Sequence, residues 1–118
     1  MQYMILIYGD ESAWASMPPE QAQASFAAFM AYNQELAASR AMRGGLMLKP
    51  SGTATTLRAH NGQIVTTDGP FAEAREQLSG YYLIEVDSLD EALAWAAKCP
   101  AVWGGSIEVR PAAFAPGA

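Results

Sequence analysis

Residues 67–86 read TDGPFAEAREQLSGYYLIEV. Asp68-Gly69-Pro70 is a strong turn signal, because aspartate and glycine suit tight turns and proline fixes its own φ. A charged stretch follows the turn, and the apolar run 81–84 then predicts a buried strand over residues 78–86. A charged loop that leads into a buried strand is a common place for a small-molecule site.

The chain before this segment begins with the apolar run 3–8, which predicts a strand with two apolar faces. Pro18-Pro19-Glu20 predicts the start of a helix that runs to about residue 40, since proline suits a first turn. Asn33 falls unusually inside the apolar stripe of this helix. The expected stripe consists of Ala22, Phe26, Phe29, Met30, Leu36 and Ala37.

A short strand over 42–48 and a β-hairpin are predicted between the first helix and the turn at Asp68. Asn61-Gly62 separates the segments 53–60 and 63–67. This dipeptide is the strongest short-range hairpin signal, because a type I′ turn needs positive φ at both central positions.

The C-terminal part of the chain predicts one more helix and one more strand. Ser88-Leu89-Asp90-Glu91 is a capping box, and Pro100 ends the helix that it starts. Residues 106–110 alternate apolar and polar side chains, which suits a strand with one wet face. The tail 111–118 is rich in Pro and Ala and is expected to fray. The predicted buried stripe of the helix is Leu89, Ala92, Leu93, Ala96 and Cys99.

The order of these elements predicts one α+β domain over residues 1–118, a ferredoxin-like split βαβ arrangement with an inserted β-hairpin. Two helices can cover only one face of a four-stranded sheet, yet the first strand and the 78–86 strand are apolar on both faces. The uncovered faces of two copies could cover each other. The sequence therefore predicts a homodimer through sheet-on-sheet packing.

Composition excludes several classes of function. The chain has 118 residues, 51% of them apolar, and a net charge of −5. An acidic chain with seven Lys and Arg has no electrostatic footprint for nucleic acid. The lone Cys99 excludes an intramolecular disulfide, and no spacing suggests a metal site or a phosphate-binding loop. The first apolar run is too short for a signal peptide or a membrane span, so we expect a cytoplasmic protein without a cofactor or a membrane partner.

Three groups around the turn are candidates for chemistry. Asp68 could be a general base or a polar anchor, or simply a turn former. Glu73 and Glu76 would share a face of a helical turn, where two close carboxylates could act as acid and base, or they form a solvated charged turn with Arg75. Phe71 is expected to be a buried plug beneath the turn or one wall of a ligand pocket.

Other candidates come from neighbouring strands. Tyr8 and Tyr81 could be the aromatic walls of a ligand pocket, or core residues whose hydroxyls reach the surface. Arg43 is the best candidate anchor for an anionic ligand, because a guanidinium matches carboxylate geometry, although it could instead pair with a surface acid. His60 lies beside a hairpin turn, where exposure argues against catalysis unless the hairpin reaches the cleft of a second copy. Cys99 is expected to be a buried, inert thiol.

Several stretches carry a resemblance to a bacterial family. TDGPFAEAREQLSGYYLIEVDSLDEALAWAAKCP, MQYMILIYGDE and GTATTLR resemble the signature of the DGPF-domain proteins of the YCII-related group. The resemblance implies a ferredoxin-like fold that assembles as a dimeric α+β barrel. It also links some members to extracytoplasmic-function sigma factors, through names or gene neighbourhood.

This sequence also departs from the pattern of some YCII-related proteins at two positions. Some YCII-related proteins carry a His–Asp pair, with the histidine on the first helix and the aspartate before a proline after the second. Here the first helix has no histidine, and Cys99 stands before Pro100. The sequence therefore predicts a small-molecule-binding protein that, if it is an enzyme, uses Asp68 and Glu73 for cofactor-independent, lyase-like or isomerase-like proton transfer. The alternatives are a regulatory protein-interaction module that acts with a sigma factor, and a structural dimer without a ligand.

Overall fold

The computed structural model describes residues 1–114 as an α+β protein with a mainly antiparallel sheet. Two short 3₁₀ helices, Ser51–Thr53 and Pro100–Trp103, join larger elements. In chain order those elements are β1 (Gln2–Gly9), α1 (Glu11–Ala15), α2 (Pro19–Ala38), β2 (Met42–Met47), β3 (Thr55–His60), β4 (Gln63–Asp68), β5 (Gln77–Glu85), α3 (Leu89–Lys98) and β6 (Ser106–Pro111).

The main sheet has the strand order β2-β5-β1-β6, and every neighbouring pair is antiparallel. β1 is central, with Ile5 opposite Tyr82 of β5 and Val109 of β6. The long helices α2 and α3 come after β1 and β5 in the chain. The order of strands and long helices predicted from the sequence is therefore confirmed. Only the short helix α1 was not predicted, because five residues carry too little periodicity to be recognised.

One face of the sheet is covered and the other is open. Burial along β1 alternates strictly: Tyr3, Ile5 and Ile7 are buried in the core, whereas Met4 and Leu6 are only half-buried. Because successive side chains of a strand point to opposite faces, the helices cover the first set, and no other element within residues 1–114 covers the second. We call the second side the open face of the sheet.

The buried face of α2 differs from the predicted stripe. Tyr32 and Leu36 are buried, but Phe26 and Met30, predicted to be buried, are exposed. The face that meets the core includes Asn33, which lies one residue after Tyr32 and three before Leu36 and is half-buried. The predicted stripe includes Asn33 but omits Tyr32, so it is rotated away from the covered face, toward Phe26 and Met30.

The capping prediction for α3 is confirmed. The Ser88 hydroxyl accepts a hydrogen bond from the backbone N–H of Glu91 at 3.2 Å. Ala92, Ala96 and Cys99 are buried as predicted. Leu89 and Leu93, in contrast, remain about half exposed, because small alanines bring the other side of the helix against the sheet.

The predicted hairpin is confirmed, but it stands apart from the main sheet. Asn61 and Gly62 have φ values of 51° and 80°, as a type I′ turn requires. β3 and β4 pair only with each other, in a separate two-stranded sheet. We call residues 55–68 the arm.

The C-terminal end corrects one expectation. Fraying was expected from residue 111, yet Pro111 belongs to β6 and the N–H of Ala112 donates a hydrogen bond to the carbonyl of Gln2 at 2.9 Å. Pairing with the central strand therefore holds the start of the tail in place, and residues 115–118 lie outside the described part of the chain. Within residues 1–114, none of the helices combines the length and apolar character that a membrane span needs.

Candidate functional site

The turn at Asp68 closes the base of the arm. Gly69 has a φ of 103°, a conformation that favours glycine. Its N–H donates to the carbonyl of Ala54 at 2.7 Å, and its carbonyl accepts from the hydroxyl of Thr56 at 2.8 Å. Asp68 ends β4 and is exposed. The geometry accounts for Asp68 as a turn residue and leaves its carboxylate accessible to a ligand.

Phe71 is not a buried plug in the single chain. Its side chain is 73% exposed, and the guanidinium of Arg58 lies 5.3 Å from the centre of its ring. The expectation of core packing is wrong here because the arm does not fold over the main sheet. The turn therefore has no core beneath it into which Phe71 could insert.

Glu73 and Glu76 do not share a helical turn, because the structure has no helix between β4 and β5. The Gln77 side-chain amide donates to the carbonyl of Ala74, a local bond that an extending helix would not make. The Glu76 carboxylate accepts bonds from the Ser106 hydroxyl at 2.9 and 3.1 Å, whereas Glu73 is exposed. Glu76 therefore contacts β6 and does not form the predicted carboxylate pair with Glu73.

Tyr8 and Tyr81 lie on the open face of the sheet, as does a carboxylate from β6. Leu6 lies between Tyr81 of β5 and Glu108 of β6 in the strand register. One Glu108 oxygen accepts from the Tyr8 hydroxyl at 3.4 Å, and the other accepts from Arg110 at 2.9 Å. We call Tyr8, Glu108 and Arg110 the open-face triad.

Sequence reasoning missed two members of this triad. The alternation over 106–110 predicts a strand with one wet face, and the strand is confirmed as β6. Glu108 and Arg110 do face outward, but they share that face with apolar Leu6 and Met4 of the neighbouring strand. Only the strand order shows that charged and apolar side chains share this face. The one signal in the sequence was the pair of charges, Glu108 and Arg110, on the same face of the last strand.

Arg43 lies away from the other predicted site residues. It is exposed and sits at a bulge opposite the far end of β5, near Leu83. Its guanidinium donates to the carbonyls of Arg40 and Met42. These bonds satisfy backbone groups at the end of α2, and the structure does not bring Arg43 to the Tyr8 end of the sheet.

Acidic residues after β1 hold neighbouring loops in place. Asp10 caps α1, and the hydrogen bonds that it accepts from Ser12 hold its pKa below the usual value. The Glu11 carboxylate accepts from the N–H of Ser51 at 2.6 Å and from its hydroxyl at 2.8 Å. The backbone N–H of Glu11 donates to Gln77 at 2.9 Å. Glu11 thus ties the loop before the arm to the end of the sheet that holds Tyr8.

Comparison with known proteins identifies the family of this chain. The family model of the YCII-related domain matches residues 1–113. The chain belongs to the YCII-related family. It is 38% identical over 118 residues to an uncharacterised protein of Rhizobium meliloti (strain 1021), an alignment that covers 97% of this chain and 94% of that protein.

A solved structure shares the fold of this YCII-related protein. It is the 5-chloro-2-hydroxyhydroquinone dehydrochlorinase of Burkholderia phenoliruptrix in complex with 2,5-dihydroxybenzoquinone. The superposition has a TM-score of 0.53 at 17% sequence identity and covers 98% of this chain and 96% of that one. At this identity the likeness concerns the fold alone.

The helix-covered side of the YCII-related domain contains a polar aromatic cluster. The Tyr82 hydroxyl donates to the side-chain oxygen of Asn33, and the Tyr32 hydroxyl donates to the carbonyl of Trp95 at 2.9 Å. The rings of Tyr32 and Tyr82 meet edge to face, 5.4 Å apart. Cys99 is fully buried, and burial raises the pKa of its thiol, as expected for an inert cysteine.

Burial of this cluster predicts a pH dependence of stability. Desolvation raises the pKa of Tyr82 to about 12 from an ordinary value of 10.0, and it raises the pKa of Tyr32 as well. Unfolding lets both phenols ionise at their ordinary pKa, so the stability they contribute is complete below pH 10 and is lost as the pH rises through about 12. The free energy of unfolding of Tyr82→Phe should therefore fall less steeply over this range than that of the wild type.

Ultraviolet titration of native protein checks this prediction. The wild type should show one more late-ionising phenol than Tyr82→Phe. Identical titration curves for the two proteins would show that Tyr82 is not shielded.

His60 is exposed at the tip of the arm, opposite Gln63. It has no carboxylate within ion-pair distance among the described residues. In the same part of the chain, no three of the His, Cys, Asp and Glu side chains come close enough together to hold a metal ion. The described residues of the single chain therefore give His60 no catalytic neighbour.

Proposed function

We propose that this YCII-related protein binds a small molecule on the open face of the sheet, at the end adjoining the Asp-Gly-Pro-Phe turn. The observation that carries the proposal is the open-face triad, a carboxylate held between a phenol and a guanidinium beside the apolar side chains of Met4 and Leu6. Apolar walls with a few converging polar groups are typical of small-molecule sites.

The triad contributes little to the stability of the folded chain. The Glu108 and Arg110 side chains are 43% and 67% exposed, and an ion pair at such exposure contributes at most about 1 kcal/mol. Glu108 could accept a proton, Arg110 could bind an anionic oxygen and Tyr8 could donate to one. Tyr81 and Leu6 supply the apolar surface on which a ring could lie.

A reaction at this site would be proton transfer by carboxylates on a small polar or aromatic compound. Glu108 joins Asp68 and Glu73 as a candidate base, with Phe71 and Glu76 at the same end of the protein. The dehydrochlorinase of the same fold acts on a hydroxylated aromatic ring, which makes such rings a reasonable first class of ligand to test.

We also propose that the fold is the ferredoxin-like split βαβ arrangement and that two copies form a dimeric α+β barrel through their open faces. The chain exposes 8410 Å², whereas folded monomers of 12.6 kDa expose about 6,200 Å². The difference of about 2,200 Å² is in the range that one subunit of an obligate dimer buries. Such a dimer would enclose the open-face triad.

Glu108→Gln tests the ligand proposal. We expect 2,5-dihydroxybenzoquinone, or a related hydroxylated ring from a small library, to raise the melting temperature of the wild type. Loss of the Glu108 charge should weaken binding by at least about tenfold, because a charged hydrogen bond contributes roughly 1.5–3 kcal/mol. Isothermal titration calorimetry would measure the change.

The matched control is Glu35→Gln. Glu35 forms a similarly exposed ion pair with Lys98, on the helix layer and away from the open face. Equal affinity of wild type and Glu108→Gln would reject Glu108 as a ligand contact, and Asp68→Asn would then test the turn itself. Absence of any ligand, with capture of a sigma factor in a pull-down, would favour the regulatory alternative.

A further inference from the structure

A second carboxylate lies at the Tyr8 end of the open face. Ser106 pairs with Tyr8 in the strand register, and directly paired residues of antiparallel strands share a face, so the Ser106 side chain also lies on the open face. Its hydroxyl lies 2.9 and 3.1 Å from the two carboxylate oxygens of Glu76 and donates to them. Glu76 directly precedes β5, and β1 lies between β5 and β6. The Glu76 carboxylate therefore crosses the end of β1, beside the phenol that donates to Glu108.

The bond between Glu76 and Ser106 is not the only one that fixes the start of β5. Gln77 pairs with Gly9, and its side-chain oxygen accepts from the N–H of Glu11 at 2.9 Å. Glu76 is half-buried, yet within residues 1–114 it has no cation at ion-pair distance. An ionised carboxylate offers about four acceptor sites, and one hydroxyl donor leaves most of them unused. The Glu76 carboxylate is therefore free to accept hydrogen bonds from a ligand.

The hydrogen bonds at this end of the open face indicate what such a ligand brings. The Ser106 hydroxyl donates to Glu76, and the Tyr8 hydroxyl donates to Glu108. Glu108 also accepts from Arg110. Because carboxylates accept bonds and donate none, the capacity that remains is chiefly that of acceptors. A ligand that matches it carries hydrogen-bond donors.

The spacing of the two carboxylates narrows the class further. Glu108 and the residue that holds Glu76, Ser106, are two positions apart on β6, which is a span of about 7 Å. Hydroxyl groups on opposite carbons of a ring are farther apart than those on neighbouring carbons, so the former suit two separate acceptors better. We infer that Glu76 is a second ligand-binding carboxylate, positioned by Ser106, and that the ligand is a flat ring with a hydroxyl group at each end. The inference rests on the small-molecule site proposed above and names its ligand class.

Glu76→Gln in the full chain tests the second carboxylate, with hydroquinone as the probe and 4-methoxyphenol as its analogue with one donor. Isothermal titration calorimetry under nitrogen should show hydroquinone binding weakened at least about tenfold by Glu76→Gln, as by Glu108→Gln, because each removes a charged acceptor. Either substitution should weaken 4-methoxyphenol by only about twofold, since its single hydroxyl can bond to the remaining carboxylate. Catechol, with adjacent hydroxyl groups, should bind the wild type more weakly than hydroquinone.

Two substitutions at Ser106 test its positioning role. Ser106→Ala keeps the Glu76 charge but releases the side chain, and it should weaken hydroquinone binding by about fivefold. Ser106→Thr keeps a hydroxyl donor and should restore most of the wild-type affinity. Glu35→Gln, on the helix layer, is again the control for loss of a charge, and circular dichroism checks that each variant is folded.

The outcomes separate this inference from the proposed site itself. Weaker hydroquinone binding in Glu108→Gln but not in Glu76→Gln would reject the second carboxylate and keep the open-face site. Catechol binding as tight as that of hydroquinone would reject the ligand class. A wild type that binds none of the hydroxylated rings would reject both the inference and the site on which it rests.

Discussion

Gly105→Ala is expected to destabilise the protein by about 3 kcal/mol and to lower its melting temperature by about 12 °C. A Cβ at Gly105 would lie 2.2 Å from the carbonyl oxygen of Tyr8, a distance that real contacts do not show. Because the obstacle is the backbone of a central strand and not the end of a flexible side chain, β6 must move away from β1. Ser106, the next residue, pairs directly with Tyr8, so the displacement begins where the two strands meet.

Gly104→Ala is the internal control for this effect. Nothing lies within 4 Å of a Cβ at Gly104, and its φ of −122° is open to any residue. Thermal unfolding of both variants should show a large loss for Gly105→Ala and a change within about 0.5 kcal/mol for Gly104→Ala. Equal melting temperatures would mean that β6 does not approach β1 as closely as described. Since Glu108 and Arg110 lie on β6, Gly105→Ala should also impair ligand binding.

Leu83→Asp is expected to abolish dimer formation at concentrations where the wild type is dimeric. Leu83 lies on the open face, opposite Met4 of β1 and Gly44 of β2. Two open faces in contact would enclose this carboxylate without a partner charge, at a cost of at least about 3 kcal/mol. That corresponds to a dissociation constant weakened by roughly 100-fold or more, which light scattering would detect.

Leu93→Asp makes the same chemical change on the other side of the protein. Leu93 lies on α3 and is already 46% exposed, so a charge there remains in water. We expect this variant to remain dimeric. Dissociation by both substitutions, or by neither, would place the dimer contact somewhere other than the open face.

Local signals were sufficient for most of the secondary structure. Asn61-Gly62 has only one common hairpin geometry, and Ser88 with Glu91 caps a helix through bonds within one turn. The α+β class and the two-faced strands follow from such patterns. Phe26 was misassigned because its burial depends on which side of α2 meets the sheet, and the predicted stripe omitted Tyr32, which lies on that side.

The site depended much more on tertiary structure. Tyr8 and Tyr81 were recognised as a pair because aromatic side chains at strand ends are informative in sequence. Glu108 lies one hundred residues from Tyr8 in the chain, and only the pairing of β1 with β6 brings their side chains together. The helical turn expected at Glu73 and Glu76 failed for the same reason, since the Ser106 contact that draws Glu76 away comes from a distant strand.

The sequence by itself determined the elements, their order, the hairpin turn and the membership in a family, because these depend on contacts within a few residues or on motifs. Tertiary structure alone decided which face of each element is covered, where the arm stands and which charged groups meet. Those outcomes depend on contacts between residues far apart in the chain, whose free energies are set by packing and solvent exclusion and leave no local pattern.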